Sequence, residues 1–405
     1  MSKIHELIEK FCPDGVSTLH LDEIFEIRGG FTPSKSNVDF WKDGTVPWFR
    51  MEDIRKNGRV LNSALQNVSE KALKGAGAFP ANSIIVSTSA TIGEHALVTV
   101  PFLANQRFTV LTIKSGYVER LLPKFAFYLG FSLSYYCTQN TVKSGFAGVE
   151  MVAFRSFPIP IPPLEVQREI VSILDKFTQL EAQLEAELEA RRSQYEHTRD
   201  QLLDFSGDLS SHPMRELIAE LCPEGVRAHE LGKVASIKIG EFVKKTKQDP
   251  NAEFAVYNGG TTETGFYEAF NSMEDSVVIS ARGSIGFVNY LPKKFWAGNS
   301  CYVIRPESDD VDVKYLYFTL KSSERQLFAL RAVGGIPALN LGPVRTFPIL
   351  LPPLEIQREI VSILEKLDAL VNDLTFGLPS EIAARRKQYE YYRNKLLTFK
   401  ELEAA

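Results

Sequence analysis

Ten basic residues stand in or beside loops rich in glycine, serine or asparagine: Arg28, Lys35, Arg50, Arg107 and Lys143 early in the chain, and Lys244, Lys245, Lys247, Arg282 and Arg331 later. Such side chains have the charge and reach to bind phosphates and the acceptor edge of guanine. Each one alone suits solvated surface better than contact, so the expectation attaches to the two sets. Asn105, Gln106, Asn258 and Asn299 carry the paired donor and acceptor that match adenine, and each also suits a local turn. Trp41, Trp48 and Trp296 offer stacking surfaces but suit core packing better.

Covalent chemistry finds no comparable support. In GGFTPSKS, Gly29 to Ser36, Ser34 stands where a phosphate loop needs its second glycine. The Pro-Pro pairs after Ile161 and Leu351 precede leucine, so nothing is placed to hold an exocyclic amine, and no GxSxG or HExxH occurs. The four cysteines form no CxxC pair and the six histidines do not cluster with them, which suits buried thiols in a reducing compartment. The expectation is recognition without catalysis, with no cofactor or metal site in this chain.

The elements that position these residues come in two copies. IPPLEVQREIVSIL from Ile161 returns as LPPLEIQREIVSIL from Leu351, identical at 12 of 14 positions. LIEKFCPDGV returns as LIAELCPEGV, NSIIVSTSATIG as DSVVISARGSIG, and ARRSQYEHTRDQLLDF as ARRKQYEYYRNKLLTF. Each half reads as a short helix, a variable domain and a long helix. Apolar residues at Ile170, Ile173, Leu174, Phe177, Leu180, Leu184 and Leu188, and in the second copy at Ile360, Ile363, Leu364, Leu367, Leu370, Val371 and Leu374, form one seam on a charged rod. A helix of about 44 residues spans about 66 Å, too long to bury its seam within one small domain. The natural partner is the other copy, packed antiparallel. The prolines suit the first helical turn, and Gly377 and Pro379 are expected to break the second rod.

SIIVSTS, FTVLTI, SVVIS and SCYVIRP read as strands, and KFAFYLGFSLSYYC and VKYLYFTLKSSERQLFAL as helices. The fold class expected is mixed α/β: two β-rich domains joined by two long antiparallel coiled-coil helices in a pseudo-two-fold repeat. The boundaries expected are 1–158, 159–212, 213–347 and 348–405, alternating domain and spacer. Between their shared flanks the domains diverge: GGFTPSKSNVDFWKDGTVPWFRMEDI has no evident counterpart in KIGEFVKKTKQDPNAEFAVYNGGTTETGF.

With 405 residues, 44% apolar and 24% charged, the composition is that of a soluble globular protein. No signal peptide or membrane span is evident, so the cytoplasm is expected. The formal net charge is −4, yet residues 17–157 carry 15 Lys and Arg against 11 Asp and Glu, and residues 227–347 carry 15 against 13. Both variable domains are mildly basic, which is compatible with phosphate contact.

The order of variable domain, PPLExQREI helix, variable domain, PPLExQREI helix resembles the specificity subunit of type I restriction-modification systems over essentially the whole chain. TPSKSNVDFWKDGTVPWFRMEDI and the TIG…ANQ and SIG…GNS segments are similar to that family's target-recognition domains. The resemblance implies a non-catalytic subunit that reads an asymmetric bipartite sequence in double-stranded DNA. It implies docking of two methyltransferase subunits, which bind S-adenosylmethionine, and of restriction subunits that use ATP and Mg2+. Gln167, Arg168, Gln357 and Arg358, identical in both copies, are then candidates for binding two identical methyltransferase subunits; helix capping and surface solvation explain them nearly as well. A stand-alone DNA-binding regulator and a structural coiled-coil adaptor are the competing classes.

Overall fold

The computed structural model describes residues 3–73, 77–142, 147–332, 334–372 and 377–402. The chain divides into two compact units, residues 1–183 with 383–405, and residues 184–382. Two long helices are shared out between them. Leu164–Leu203 changes unit after Gln183, and Leu378–Leu396 changes unit after Ile382. Each unit therefore combines a variable domain with the start of one long helix and the end of the other.

In the first unit a five-stranded sheet runs in the order Phe25–Gly29, Phe108–Ile113, Ser83–Ser87, His95–Val98, Val60–Leu61. Every residue of Ser83–Ser87 is buried because both faces of this strand are covered. Ile84 and Val86 enter a core with the helix Pro123–Gln139 and the long-helix residues Val166, Ile170 and Leu174. Ile85 faces a second core with Trp48, Phe49, Leu103 and Phe108, under a small sheet of Asn67–Val68, Val46–Phe49 and Leu103–Ala104. A strand covered on both sides needs this unbroken apolar run instead of alternation.

The second unit repeats the plan. Its four-stranded sheet runs Ala235–Ile239, Cys301–Pro306, Ser276–Ser280, Val288–Leu291, and its small sheet runs Gly265–Tyr267, Phe254–Tyr257, Trp296–Ala297. Val277 and Ile279 point into one core and Val278 into another, the same division as in Ser83–Ser87.

The expected seam exists. In the first unit Phe177 packs on Tyr389 and Tyr392, with ring centroids 6.1 and 5.8 Å apart, and Glu181 accepts from Arg386 at 2.5 Å. Numbers rise along one helix as they fall along the other, so these segments run antiparallel. In the second unit Tyr195, Leu202, Ile356, Ile360, Leu364 and Val371 share one buried cluster. The prolines differ in detail from expectation. Both long helices start one residue after them, at Leu164 and Leu354, and the Pro163 and Pro353 carbonyls accept the first helical N–H groups. The second rod is interrupted as expected: one helix ends at Asn372, Gly377 lies in a bend, and the next begins at Leu378. Pro379 sits in that helix's first turn, where its missing N–H costs nothing. Leu374 lies outside the described residues.

Gln167 and Gln357 are not surface groups. The Gln167 amide accepts from Leu122 N at 2.9 Å and donates to the Arg120 and Pro162 carbonyls at 2.7 Å each. Gln357 repeats this, accepting from Asp312 N at 2.8 Å and donating to Asp310 O at 2.9 Å and Pro352 O at 2.7 Å. Leu122 and Asp312 are the N-caps of the helices Pro123–Gln139 and Val313–Ser322. Each buried amide thus latches a variable domain to the start of a long helix, which accounts for its identity in both copies without a partner protein. Arg168 and Arg358, one residue on, are exposed.

Candidate nucleic-acid interface

The first site is built where two short parallel strands end together. Trp48 pairs with Leu103 and Phe49 with Ala104, and the register continues as Asn105 N donates to Phe49 O at 3.0 Å. Gly30 N donates to Phe108 O at 2.8 Å and Phe31 N to Ala104 O at 2.7 Å. Gly30 lies so close that an added Cβ would collide with the Asn105 and Ala104 carbonyl oxygens. That close backbone approach explains the glycine in GGFTPSKS.

The second unit builds the same frame. Val256 pairs with Trp296 and Tyr257 with Ala297, and Gly298 N donates to Tyr257 O at 2.7 Å. Gly240 N donates to Cys301 O at 3.1 Å and Glu241 N to Ala297 O at 2.8 Å, and a Cβ on Gly240 would strike the Gly298 and Ala297 carbonyls. Even the indole clamp recurs from opposite strands. Trp48 donates to Phe31 O at 3.2 Å, and Trp296 donates to Glu241 O at 2.8 Å. The two stretches that looked unrelated in sequence share one backbone frame, since its hydrogen bonds need only main-chain groups and a glycine.

This frame sets the correspondence of side chains. Arg50 stands where Asn258 stands, Gln106 where Asn299 stands, and Arg107 where Ser300 stands. In the first unit a cavity of about 850 Å3 elsewhere is larger, but the mouth itself holds one of about 560 Å3. It is lined by Lys35, Arg50, Asn105, Gln106 and Arg107 with Trp41 and Trp48. Five of the expected contact residues are thereby brought together. Lys35, Gln106 and Arg107 are exposed, and Gln106 accepts from the Thr32 hydroxyl. Asn105 spends its side-chain oxygen on Arg107 N at 3.0 Å, the local turn its type allows. Trp48 is buried, and Trp41 meets it edge-on at 5.0 Å while donating to Ser34 O at 3.0 Å. Both tryptophans therefore pack and line the cavity at once.

Arg28 is not in this mouth lining. It lies over the Phe79 ring at 4.7 Å, with Glu26 at 3.8 Å. Lys143 lies outside the described residues. In the second unit Lys244, Lys245 and Lys247 are exposed on and beside the turn Lys245–Lys247, and Asn258 and Asn299 are exposed at the strand ends. Arg282 is exposed in a loop pinned to this mouth, because Ser284 N donates to Gly259 O at 2.9 Å. Arg331 instead donates to Phe328 O at 2.9 Å and stacks on that ring at 3.8 Å.

Thr32, Val38, Met51, Glu52 and Gln66 complete the first cavity and were not expected from sequence. Only the assembled frame brings Gln66 to Arg107. His95 lies buried in the first sheet. Burial and the nearby Arg59 and Arg393 charges lower its pKa to about 3, against a weak contact to Gly93 O at 3.3 Å. The mouths offer charge, paired amide hydrogen bonds and aromatic surface, which is the chemistry of binding.

Among the described residues no helix is long and apolar enough to cross a membrane. A family model described as type I restriction modification DNA specificity domain matches twice, at residues 13–190 and 223–384. The chain is 38% identical over 379 residues to the type I restriction enzyme EcoprrI specificity subunit of Escherichia coli, covering 89% of this chain and 90% of that protein. Its fold is similar to that of the type I restriction-modification S subunit from M. genitalium, with TM-score 0.57, 18% identity, and coverage of 94% and 95% of the two chains. A chain solved in work on complex assembly and conformational transition of the type I R-M system matches with TM-score 0.62 and 20% identity over 95% and 98%. With two matches of the family model, one on each copy of the repeat, the chain belongs to the type I restriction-modification DNA specificity family.

Proposed function

We propose that this chain reads an asymmetric, bipartite sequence in double-stranded DNA, one half-site per unit, and performs no covalent chemistry itself. The observation that carries this is the pair of mouths with one backbone frame and different polar side chains. Identical readers would suit a symmetric target, whereas unlike readers suit two unlike half-sites around an unread gap. Exposed cations such as Lys35, Arg107 and Lys244 supply phosphate contacts that set position, and the amides at the strand ends reach base edges.

Two methyltransferase subunits carrying S-adenosylmethionine would dock on this chain, with restriction subunits supplying ATP- and Mg2+-dependent steps in the cytoplasm. The exposed Arg168 and Arg358, repeated at the same helical position, are the candidates for that docking. The modest positive excess of each domain favours weak DNA binding by the isolated chain and tight binding by the complex. Mapping methylated adenines in cells that co-express the chain with its methyltransferase tests the reading. One new motif with two different halves is expected. A palindromic motif, or nanomolar sequence-specific binding by this chain alone at physiological salt, would overturn it.

A further inference from the structure

One position of the shared frame differs sharply in chemistry between the mouths. Arg50 and Asn258 each follow the strand residue, Phe49 or Tyr257, whose carbonyl accepts from the neighbouring loop. We propose that this position reads one base in each half-site: Arg50 a guanine in the first, and Asn258 an adenine in the second. The inference rests on the DNA-reading function above and names what that site recognises.

Arg50 is held as a reader would be. The buried Asp53 carboxylate accepts from Arg50 N at 2.7 Å and from Leu65 N at 2.6 Å, fixing the main chain at the start of the helix Met51–Asn57. The guanidinium lies over the Trp48 ring at 5.3 Å, with Glu52 at 4.0 Å. The Glu52 oxygen stands 4.0 Å from Nε, which is buried and makes no hydrogen bond among the described residues, and the side chain lines the cavity, so the terminal nitrogens are the donors assigned to a ligand. Two parallel donors match O6 and N7 of guanine, and arginine has no acceptor to offer the adenine amino group. A phosphate contact needs no such fixation, and the exposed Lys35 and Arg107 beside it serve that purpose.

Asn258 is seated by what its neighbours lack. A Cβ on Gly298 would strike the Asn258 side-chain oxygen, so glycine makes room for the amide. Gly259 holds φ +78°, a conformation that turns the chain sharply just past the amide. The side-chain oxygen takes a long contact from Ser300 N at 3.4 Å. An exposed carboxamide, one donor beside one acceptor, matches N6 and N7 of adenine.

The test is the methylation motif of the complete complex carrying Arg50→Ala, Arg50→Lys or Asn258→Ala. Arg50→Ala should relax one G·C pair of the first half-site by about 5- to 150-fold and leave the second half unchanged. Arg50→Lys keeps the charge but loses the fork, and should relax the same pair. Asn258→Ala should relax one A·T pair of the second half only. Uniformly weaker methylation with an unchanged motif, together with a shallower salt dependence, would make these phosphate contacts and overturn the inference while leaving bipartite reading intact. If Arg50→Ala fails to assemble, Asn258→Ala decides: an unchanged second half-site overturns the proposal. A wild-type complex with no bipartite motif would instead remove the function on which it rests.

Discussion

The first mouth gathers three cations, two tryptophans and an amide set around a cavity of about 560 Å3. The second presents asparagines at its strand ends and lysines on an exposed turn. Beneath them the hydrogen bonds are the same, from the close-approach glycine to the parallel register. The glutamine latches below, Gln167 and Gln357, are the same again. Main-chain bonds and buried amides hold the frame, so side chains at its rim are free to vary without unfolding it. The contrast separates what holds a reading head from what it reads.

The strongest way to break this separation is to exchange a whole head. Replacing residues 17–157 with the equivalent domain of a relative should change one half of the methylated motif completely and leave the other untouched. Methylation mapping decides it, and a change in both halves of an intact complex would refute independent heads.

The latches offer the converse test, in which the two units should respond alike. Gln167→Leu strands the Leu122 N–H and the Arg120 and Pro162 carbonyls, and Gln357→Leu strands their counterparts. With about 1–3 kcal/mol for each buried group left unpaired, each substitution should cost about 3 kcal/mol or more. Urea unfolding measures this, and a loss in one unit only would mean the latch is not a shared device.

His95 sharpens the comparison by asymmetry, because Val288 occupies the matching position of the second sheet. The His95 pKa is about 3 in the folded chain against an ordinary 6.5, so the unfolded chain binds the extra proton first. The stabilisation is complete above pH 6.5 and is lost progressively as pH falls toward 3. At pH 5 the loss is about 2 kcal/mol. Hydrogen exchange should show Ser83–Ser87 losing protection at pH 5 more than Ser276–Ser280, and His95→Val should remove the difference.

The smallest expected change concerns the helix that both units share. LEAQLEAELEAR, Leu180 to Arg191, repeats every four residues, and four helical residues turn about 400° while advancing about 6 Å. Deleting Leu180 to Gln183 brings Glu185 into the place of Glu181 opposite Arg386. The unread gap should shorten by one or two base pairs with both half-sites kept, as methylation mapping would show. Altered half-sites would mean the units are not a spacer.

Much of this was legible in the chain. The duplicated segments announced two units, and apolar spacing announced the long helices, because periodicity records burial directly. Polarity and repetition together pointed Gln167 and Gln357 toward a partner, whereas the structure buries both. Gln167 precedes Ile170 by three and Leu174 by seven residues, so its phase already placed it on the buried seam, as Gln357 is placed before Ile360 and Leu364. The mouths were half legible. Residue type pointed to Arg50, Gln106, Arg107, Asn258 and Asn299, but strands as short as Leu103–Ala104 leave no periodic signal. The match between Arg50 and Asn258 exists only in the register of such strands.

The division of the chain also orders its synthesis. Residues 184–382 form the second unit from one uninterrupted stretch, whereas the first unit needs residues 383–402 as well. Val16 N donates to Lys400 O at 2.8 Å, Leu402 N donates to Val16 O at 3.1 Å, and Leu397 lies in the first unit's core. On the ribosome, the unit that begins first is therefore the last to be finished. Until those residues emerge, Phe177 and its neighbours wait with an apolar face uncovered, and that interval is when the nascent chain is most exposed to proteases and to mispairing with its neighbours.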